Sequence, residues 1–262
     1  MRATILAVLC LLTGGLLAGL VTGAARAADA AAAGDRCAAP ESLTFVDAPL
    51  PGVAARIAAH EEVHVIVLGS SSSVTPARQG MPKSYIASLP AALEAKLPGL
   101  RLKIDNRSAR RLTAEQMADG IRTGIAAAKP DLLLWQTGNV DAAQQIDINL
   151  FGAALENGLQ ALKASNIDVV LIAPQYRARL SALIDAAPYD DVMGQIAGGY
   201  NALVFPRYDI MRHWDENDVF DLRHADQAMQ MREAEAENRC LAELLAGLIV
   251  RAAAPAREGG GQ

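Results

Sequence analysis

The residues best suited to chemistry in this chain are a serine in a small-residue turn and a late aspartate–histidine pair. Ser71 lies within Gly69–Ser73, directly after an apolar run, while Asp221 and His224, with two residues between them, lie near the other end of the chain. A serine hydroxyl becomes a nucleophile when a base takes its proton; histidine is the usual base, and a carboxylate fixes its tautomer. The pattern therefore predicts acyl transfer, with a serine of this turn as nucleophile, His224 as general base and Asp221 as the group that orients the histidine.

The segments that must position these residues alternate between strand-like and helix-like patterns. Short apolar runs predict strands at Val63–Leu68, Leu100–Ile104, Leu132–Gln136, Asp168–Ala173 and Ala202–Phe205. Helical spacing predicts helices at Ser84–Leu97, from Thr113 to about Ala128, from about Asn149 to Ala164, near Arg177–Ala186 and Asp191–Tyr200, and from about Ala225 to Arg251. Alternating buried strands and helices are typical of a parallel sheet between helical layers.

In such a sheet, ligands bind at the carboxyl ends of the strands. Gly69–Ser73 follows the first predicted strand, Asn106 follows the second, and Thr137–Asp141 follows the third. The three loops are therefore expected to converge on one edge of the sheet, with Ser71 among them.

These features resemble the SGNH (GDSL-type) hydrolase superfamily, and the resemblance runs from about Val63 to the C-terminal helix. The first family block, Gly-Asp-Ser, is similar to Gly69-Ser70-Ser71, with Ser70 in the place of the aspartate, and the last block, Asp-x-x-His, matches Asp221 and His224. The resemblance implies that Ser71 is the nucleophile among the serines of the turn. The resemblance implies an α/β fold: a three-layer α/β/α sandwich around a five-stranded parallel sheet in flavodoxin-like order. It also implies a serine esterase that needs no cofactor.

The middle blocks of the superfamily depart from their usual form here. The second block resembles the segment from Asn106 to Arg111, with Arg111 where the family has an oxyanion-binding glycine, and in the third block Asn139 stands one residue early. The resemblance implies that the backbone of Ser71, the backbone of Arg111 and the side chain of Asn139 form the oxyanion hole. Either the loop shifts so that Asn139 supplies its donor or that donor is absent, and losing one donor typically costs about 3–4 kcal/mol of transition-state stabilisation.

Other signals favour structural interpretations. Asp209 and His213 form a competing pair, interpreted as a helix-surface pair; the acidic run Glu233–Glu237 is interpreted as a solvated helix face, and Trp135 as a core residue. The predicted function is hydrolysis of carboxylic esters, and O-acetyl groups on cell-envelope glycans are one candidate substrate. The alternatives are a catalytically impaired module that binds glycan or acyl ligands, and an acyltransferase that uses the same triad.

The N-terminus reads as an export signal. Residues 1–27 combine Arg2, an apolar stretch from Ile5 to Val21 and a small-x-small cleavage site ending at Ala27. The predicted organisation is a signal peptide at 1–27, a flexible lead at 28–40, the hydrolase domain at 41–252 and a flexible tail at 253–262. The expected location is the periplasm or the exterior, with no stable membrane insertion once the signal is cleaved.

The charged residues, the cysteines and the histidines bear on nucleic-acid binding, disulfide formation and metal binding. The 24 basic and 29 acidic residues give a net charge of −5. The sequence has no basic stripe with interleaved aromatic residues, so a nucleic-acid partner is not expected. Cys37 and Cys240 are a disulfide candidate in an oxidising compartment. No metal site is expected, because CxxC and HExxH motifs are missing and the 4 histidines are dispersed.

Overall fold

Five parallel strands form one sheet, in the order β2-β1-β3-β4-β5. In the computed structural model, which describes residues 36–74, 82–181 and 183–254, the sheet lies within the unit that begins at Ala39. The strands are β1 (Val63–Leu68), β2 (Leu102–Asn106), β3 (Leu132–Gln136), β4 (Asp168–Ile172) and β5 (Leu203–Phe205). This order is the flavodoxin-like one, so the predicted fold class is confirmed.

Helices cover the sheet and connect its strands. They are α1 (Pro51–Ala58), α2 (Tyr85–Lys96), α3 (Ala114–Gly120), α4 (Ala126–Ala128), α5 (Asn139–Ala143), α6 (Ile148–Ala164), α7 (Ala178–Ser181), α8 (Ala187–Gly199), α9 (Arg207–Glu216) and α10 (Gln227–Ala252). A 3₁₀ turn at Glu41–Leu43 precedes them, and one π-helical turn, Ile121–Ile125, joins α3 to α4. Helix α10 packs against α2, while α6 packs against both α3 and α8.

Local sequence signals explain where several helices begin. Ser84 caps α2 by accepting a hydrogen bond from the backbone of Ala87. Thr113 and Gln116 form the expected capping box of α3. The side chain of Asp226 caps α10. Such caps satisfy backbone N–H groups that a helix start leaves without partners.

Strand β3 lies at the centre of the core, with all five of its residues buried. Trp135 has no exposed surface, which confirms its interpretation as a core residue. A strand that is apolar on both faces is expected where helices cover both sides of a parallel sheet.

Three local predictions differ from the structure. The second strand runs from Leu102 to Asn106 rather than from Leu100 to Ile104, so Asn106 ends the strand instead of following it. The start is later because the turn at Gly99 continues until the Leu100 N–H has donated to the Leu97 carbonyl. The helical patch predicted near Arg177–Ala186 is the single turn α7. Helices α1 and α5 were not predicted, although Pro51 at the first position of α1 is a recognised start signal.

Candidate functional site

The serine turn, Gly69–Ser73, lies at the carboxyl end of β1 and presents one hydroxyl to solvent. Ser71 is exposed, whereas Ser70 and Ser73 are only 4% and 0% exposed. The Ser73 N–H donates to the Ser70 carbonyl over 3.0 Å and closes the turn around Ser71. Ser71 is therefore held outward between two buried neighbours, at the sheet edge where the sequence predicts chemistry.

One buried amide anchors this turn. The register pairs Leu68 with Trp135. The serine turn, which begins after Leu68, therefore lies beside Gln136, the last residue of β3. The Gln136 Oε1 atom accepts from Ser73 Oγ at 2.9 Å, from Ser72 Oγ at 3.1 Å and from the Ser70 N–H at 3.3 Å. Sequence reasoning missed Gln136, although a single amide at the end of an apolar run was a usable signal.

Gly69 is required by close packing in the same turn. A Cβ atom at this position would lie 2.8 Å from Ser73 Oγ and 3.1 Å from the Gln136 Oε1 atom. Only glycine leaves room for the turn to fold back against Gln136.

The loop after β2 is bonded to the serine turn at two points. The Asn106 Nδ2 group donates to the Ser73 carbonyl over 2.8 Å, and the Ala109 N–H donates to the Gly69 carbonyl over 3.0 Å. Asn106 also accepts from the Ser108 N–H. The segment that leads to Arg111 is thus fixed relative to the segment that carries Ser71.

Arg111 adopts a backbone angle that glycine favours. Its φ is +62°, in the left-handed region, and its side chain is exposed. A non-glycine residue seldom occupies this region. The backbone of Arg111 therefore takes the conformation open to a glycine at this position, and its guanidinium extends toward solvent.

The loop after β3 holds Asn139 and Asp141 in separate roles. Gly138 has φ +92°, and a Cβ there would lie 2.8 Å from Pro174 Cγ. The Asn139 Oδ1 atom accepts from the Gln175 N–H over 2.6 Å. The NH₂ group of the same amide can therefore donate a hydrogen bond to another group. The buried Asp141 accepts from the Ala114 N–H at the start of α3, and burial raises the pKa of this carboxyl.

Asp221 and His224 lie in the connection between α9 and α10, and both are exposed. The Asp221 Oδ1 atom accepts from the Arg223 N–H over 3.1 Å, and the His224 Nδ1 atom accepts from the Asp226 N–H over 2.9 Å. Among the hydrogen bonds of the described residues, none joins Asp221 to His224 or His224 to Ser71. The histidine is thus in the tautomer with its proton on Nε2, whereas a triad needs Nδ1–H facing the carboxylate.

A cavity of about 560 Å³ borders this connection. Leu222 and Arg223, the two residues between Asp221 and His224, form part of its wall. Its other walls come from the segment after β4, from α9 and from α10, and they include Gln175, Tyr176, Leu180, Met211, Met231 and Ala234. The cavity is large enough for a group well beyond the size of an acetyl.

The interpretation of the acidic run Glu233–Glu237 as a solvated helix face is wrong at Glu237. Glu237 is 3% exposed and does not belong to a solvated face; its Oε2 atom accepts from the Arg177 Nη1 group over 2.9 Å. Burial raises the pKa of Glu237, and the attraction of Arg177 opposes that rise. The helix turns this position toward the cavity wall, where the arginine compensates its charge.

The competing aspartate and histidine have other partners. Asp209 pairs with Arg212 at 2.8 Å, and the His213 Nδ1 atom contacts the Asn217 amide at 3.3 Å. Within the described ranges no group of three or more histidine, cysteine, aspartate or glutamate residues could hold a metal ion.

The predicted disulfide is present, since Cys37 and Cys240 are both disulfide-bonded. No helix among residues 36–74, 82–181 and 183–254 has the length and apolar character needed to cross a membrane. The predicted signal peptide at 1–27, most of the predicted lead and the end of the predicted tail lie outside the described residues.

Comparison with known proteins assigns the chain to a family. Residues 36–255 match the Non-GDSL lipase-like family, and the chain belongs to it. The fold is that of SGNH hydrolases, which confirms the predicted superfamily; family and fold together define the class of protein as an ester hydrolase.

Solved structures with this fold include two acetylxylan esterases. Axe2 from Geobacillus stearothermophilus is 18% identical with a TM-score of 0.52, and the match covers 72% of this chain and 93% of that one. The acetyl xylan esterase AlAXEase is 16% identical with a TM-score of 0.51, covering 65% of this chain and 96% of that one. A comparison with curated proteins found no match.

Proposed function

We propose that this protein hydrolyses carboxylic esters through an acyl-Ser71 intermediate. The observation that carries the proposal is the serine turn itself, which exposes Ser71 and buries Ser70 and Ser73 on either side of it. A serine–alanine and an aspartate–alanine variant of Axe2 are described as catalytic mutants. A serine and an aspartate are also the residue types proposed here for the nucleophile, Ser71, and the orienting group, Asp221.

The reaction proceeds in two acyl transfers. His224 takes the proton of the Ser71 hydroxyl as the oxygen attacks the ester carbonyl, and it returns that proton to the leaving alcohol. A water molecule then gives its proton to His224 and attacks the acyl-serine, which releases the carboxylic acid and restores the hydroxyl. Asp221 stabilises the histidine while it carries the proton.

The negative oxygen formed in each step needs donors. In this proposal they are the backbone N–H groups of Ser71 and Arg111 and the Asn139 amide. The left-handed backbone of Arg111 supports its place in the set, because the loop conformation is one that suits glycine. Asn139 qualifies because its oxygen is engaged by Gln175, which leaves the NH₂ group to donate.

The base must reorganise before it can act. His224 Nδ1 accepts from the Asp226 N–H, so the ring has to rotate for Nδ1–H to face Asp221 and Nε2 to face Ser71. The connection that carries these residues is exposed, and rotation there displaces no core side chain. Substrate binding in the adjoining cavity is the event that we propose drives this rotation.

For the substrate we propose an O-acetylated glycan of the cell envelope, supported by the acetylxylan esterases that share the fold. The predicted signal peptide supports a location in the periplasm or outside the cell, and a disulfide fits an oxidising compartment. Sequencing the N-terminus of exported protein tests the location: a mature chain beginning at Ala28 is expected, and an intact leader on the exported material would contradict it.

Hydrolysis of chromogenic esters tests the activity. Wild-type protein is expected to cleave an acetyl ester faster than an octanoyl ester, and Ser71→Ala and His224→Ala variants should each lose at least about 10³-fold in kcat. Equal turnover by wild type and Ser71→Ala would exclude Ser71 as the nucleophile. A preference for octanoyl would exclude an acetyl-specific enzyme.

A catalytically impaired binding module is the second candidate. The hydrogen bond from Asp226 to His224 favours it, because this bond holds the histidine in the tautomer unsuited to a triad. Binding of acetylated oligosaccharide without release of acetate would support the module, whereas release of acetate would exclude it.

A further inference from the structure

Arg207, the first residue of α9, places a buried guanidinium against the serine turn. Its side chain is only 1% exposed, and its Nη1 group donates to Ser72 Oγ over 3.1 Å. Ser72 is the residue directly after Ser71. A cation at the end of β5 thus reaches across the sheet edge to the neighbour of the nucleophile.

The fold compensates this charge only in part. The guanidinium carbon lies 5.4 Å from the centroid of the Tyr85 ring, within the range of a cation–π interaction. Among the described residues, Arg207 Nε and Nη2 have no hydrogen-bond partner. Burial lowers the pKa of Arg207, and the interactions with Tyr85 and then with Glu237 oppose that effect. Keeping such a group buried is costly, and an apolar side chain would fill the same space more cheaply.

The contact with Ser72 fixes the direction of its hydroxyl. Ser72 Oγ accepts from Arg207 and donates its own proton to Gln136 Oε1 over 3.1 Å. Because the guanidinium can only donate, it leaves Gln136 as the acceptor for the hydroxyl proton. Lysine could supply the charge but not the planar fork that lies over Tyr85 while bonding Ser72.

We propose that Arg207 is a positioning residue for the nucleophile. It holds Ser72 against Gln136 and so fixes the backbone from which the Ser71 hydroxyl and N–H project. This inference rests on the proposed role of Ser71. Misplacing a reacting group by about 1 Å can cost about 10²-fold in rate, so loosening this turn should slow acylation without weakening substrate binding.

A double-mutant cycle between Arg207 and Ser72 tests the proposal. The variants are Arg207→Gln, Ser72→Ala and the double variant, and the measurements are kcat and KM for an acetyl ester and the rate of Ser71 labelling by a fluorophosphonate. Each single variant should lose about 10- to 100-fold in kcat and in labelling rate, with KM within about twofold. The double variant should be no slower than the slower single variant, because both act through one contact.

Two results would overturn the proposal: labelling of Arg207→Gln at the wild-type rate, or losses in the double variant that multiply. Leu162→Ala is the control for general destabilisation, because Leu162 is fully buried in the last turn of α6 and its carbonyl accepts from Ile167, just before the start of β4 and not at the carboxyl ends of the strands. It should lower Tm yet label at the wild-type rate; equal slowing in this control would show that Arg207 acts only through stability.

Arg207→Lys covers the case in which the glutamine variant does not fold. The lysine variant keeps the charge but not the fork, and it should still slow labelling about tenfold, whereas a wild-type rate would overturn the proposal. Failure of wild-type protein to label at Ser71 would overturn the proposed function instead. The two failures are therefore distinguishable.

Discussion

The serine turn and the segment that carries Asp221 and His224 are built in opposite ways. In the turn, a buried amide, a buried arginine and the Asn106 side chain hold the residues around Ser71 from three different strands or strand ends. In the other segment both side chains are exposed, and the hydrogen bonds of these two side chains run to residues two positions away. The backbone of that segment is tied to α10 by two side chains of this helix, Glu233 and Gln230. The proposed nucleophile is thus preorganised by long-range contacts, while the side chain of the proposed base rests in a local arrangement that the proposed catalysis must change.

This difference has an energetic consequence. Long-range buried hydrogen bonds form only when the whole sheet has folded, so the turn should be as rigid as the core. Exposed local hydrogen bonds contribute little to stability and break easily. The proposed enzyme therefore keeps its attacking group fixed and its proton carrier movable.

The largest effect is expected from adding one methyl group to the serine turn, which tests whether the turn is rigid. In Gly69→Ala the new Cβ would meet Ser73 Oγ at 2.8 Å, and such overpacking typically costs about 1–3 kcal/mol of unfolding free energy. Because the turn must shift, kcat should fall about 10²-fold. Ester hydrolysis and thermal unfolding measure the two effects.

Gly194→Ala is the matched control, since its Cβ would have no neighbour within 4 Å and the residue lies in the middle of α8. It should keep wild-type activity and gain some stability. Full activity in Gly69→Ala would show that the turn is not rigid.

Removing the shared acceptor tests whether Gln136 organises the turn. Gln136→Leu removes the acceptor shared by Ser72 Oγ, Ser73 Oγ and the Ser70 N–H, which should cost about 2–3 kcal/mol of unfolding free energy and about tenfold in kcat. Gln136→Glu keeps an acceptor oxygen and should retain more activity than the leucine variant. Equal activity in the two variants would contradict the role of the amide oxygen.

A variant that frees His224 from its hydrogen bond tests whether the local arrangement of this segment limits catalysis. Asp226 has φ −79°, which proline can adopt, so Asp226→Pro deletes the N–H that holds His224. One such hydrogen bond is worth about 1 kcal/mol, so kcat should rise about fivefold over Asp226→Ala. Both variants lose the side-chain cap of α10, and only the proline variant loses the N–H. A lower kcat in the proline variant would show that this bond supports catalysis.

A carboxyl at the opposite edge of the sheet should affect stability alone. Burial raises the pKa of Asp168, at the start of β4, to about 6, and hydrogen bonds from Val53 and Gly52 oppose the rise. The native state therefore retains a proton that the unfolded chain releases, so this group favours folding below pH 4 and loses that contribution as the pH rises through 6.

Asp168→Asn removes this titration. Between pH 4 and 7 the variant should gain about 1 kcal/mol of unfolding free energy relative to wild type, a figure that allows for solvent screening. Urea unfolding at both pH values measures the gain, and ester hydrolysis should be unchanged. A gain of the opposite sign would show that the Asp168 pKa is lowered.

The sequence predicts the architecture well, because buried parallel strands and capped helices leave local signals. Leu132–Gln136 and the capping box at Thr113 have the bounds that periodicity and caps indicate. The polar contacts beneath Ser71 could not be predicted in the same way. Gln136 and Arg207 contact the turn only because the strand order brings the ends of their strands to the same edge. The spacing of these residues along the chain does not indicate that contact. Glu237 was misinterpreted for the same reason: its partner, Arg177, lies after another strand.

Labelling by a fluorophosphonate with mass-spectrometric mapping tests the central claim most directly. The folded wild-type protein should carry one adduct, on Ser71, with none on the neighbouring Ser70, Ser72 or Ser73. The adduct should disappear in Ser71→Ala and form at least about 10²-fold more slowly in His224→Ala. Folded wild-type protein that stays unlabelled, or that carries its adduct on another serine, would contradict the account.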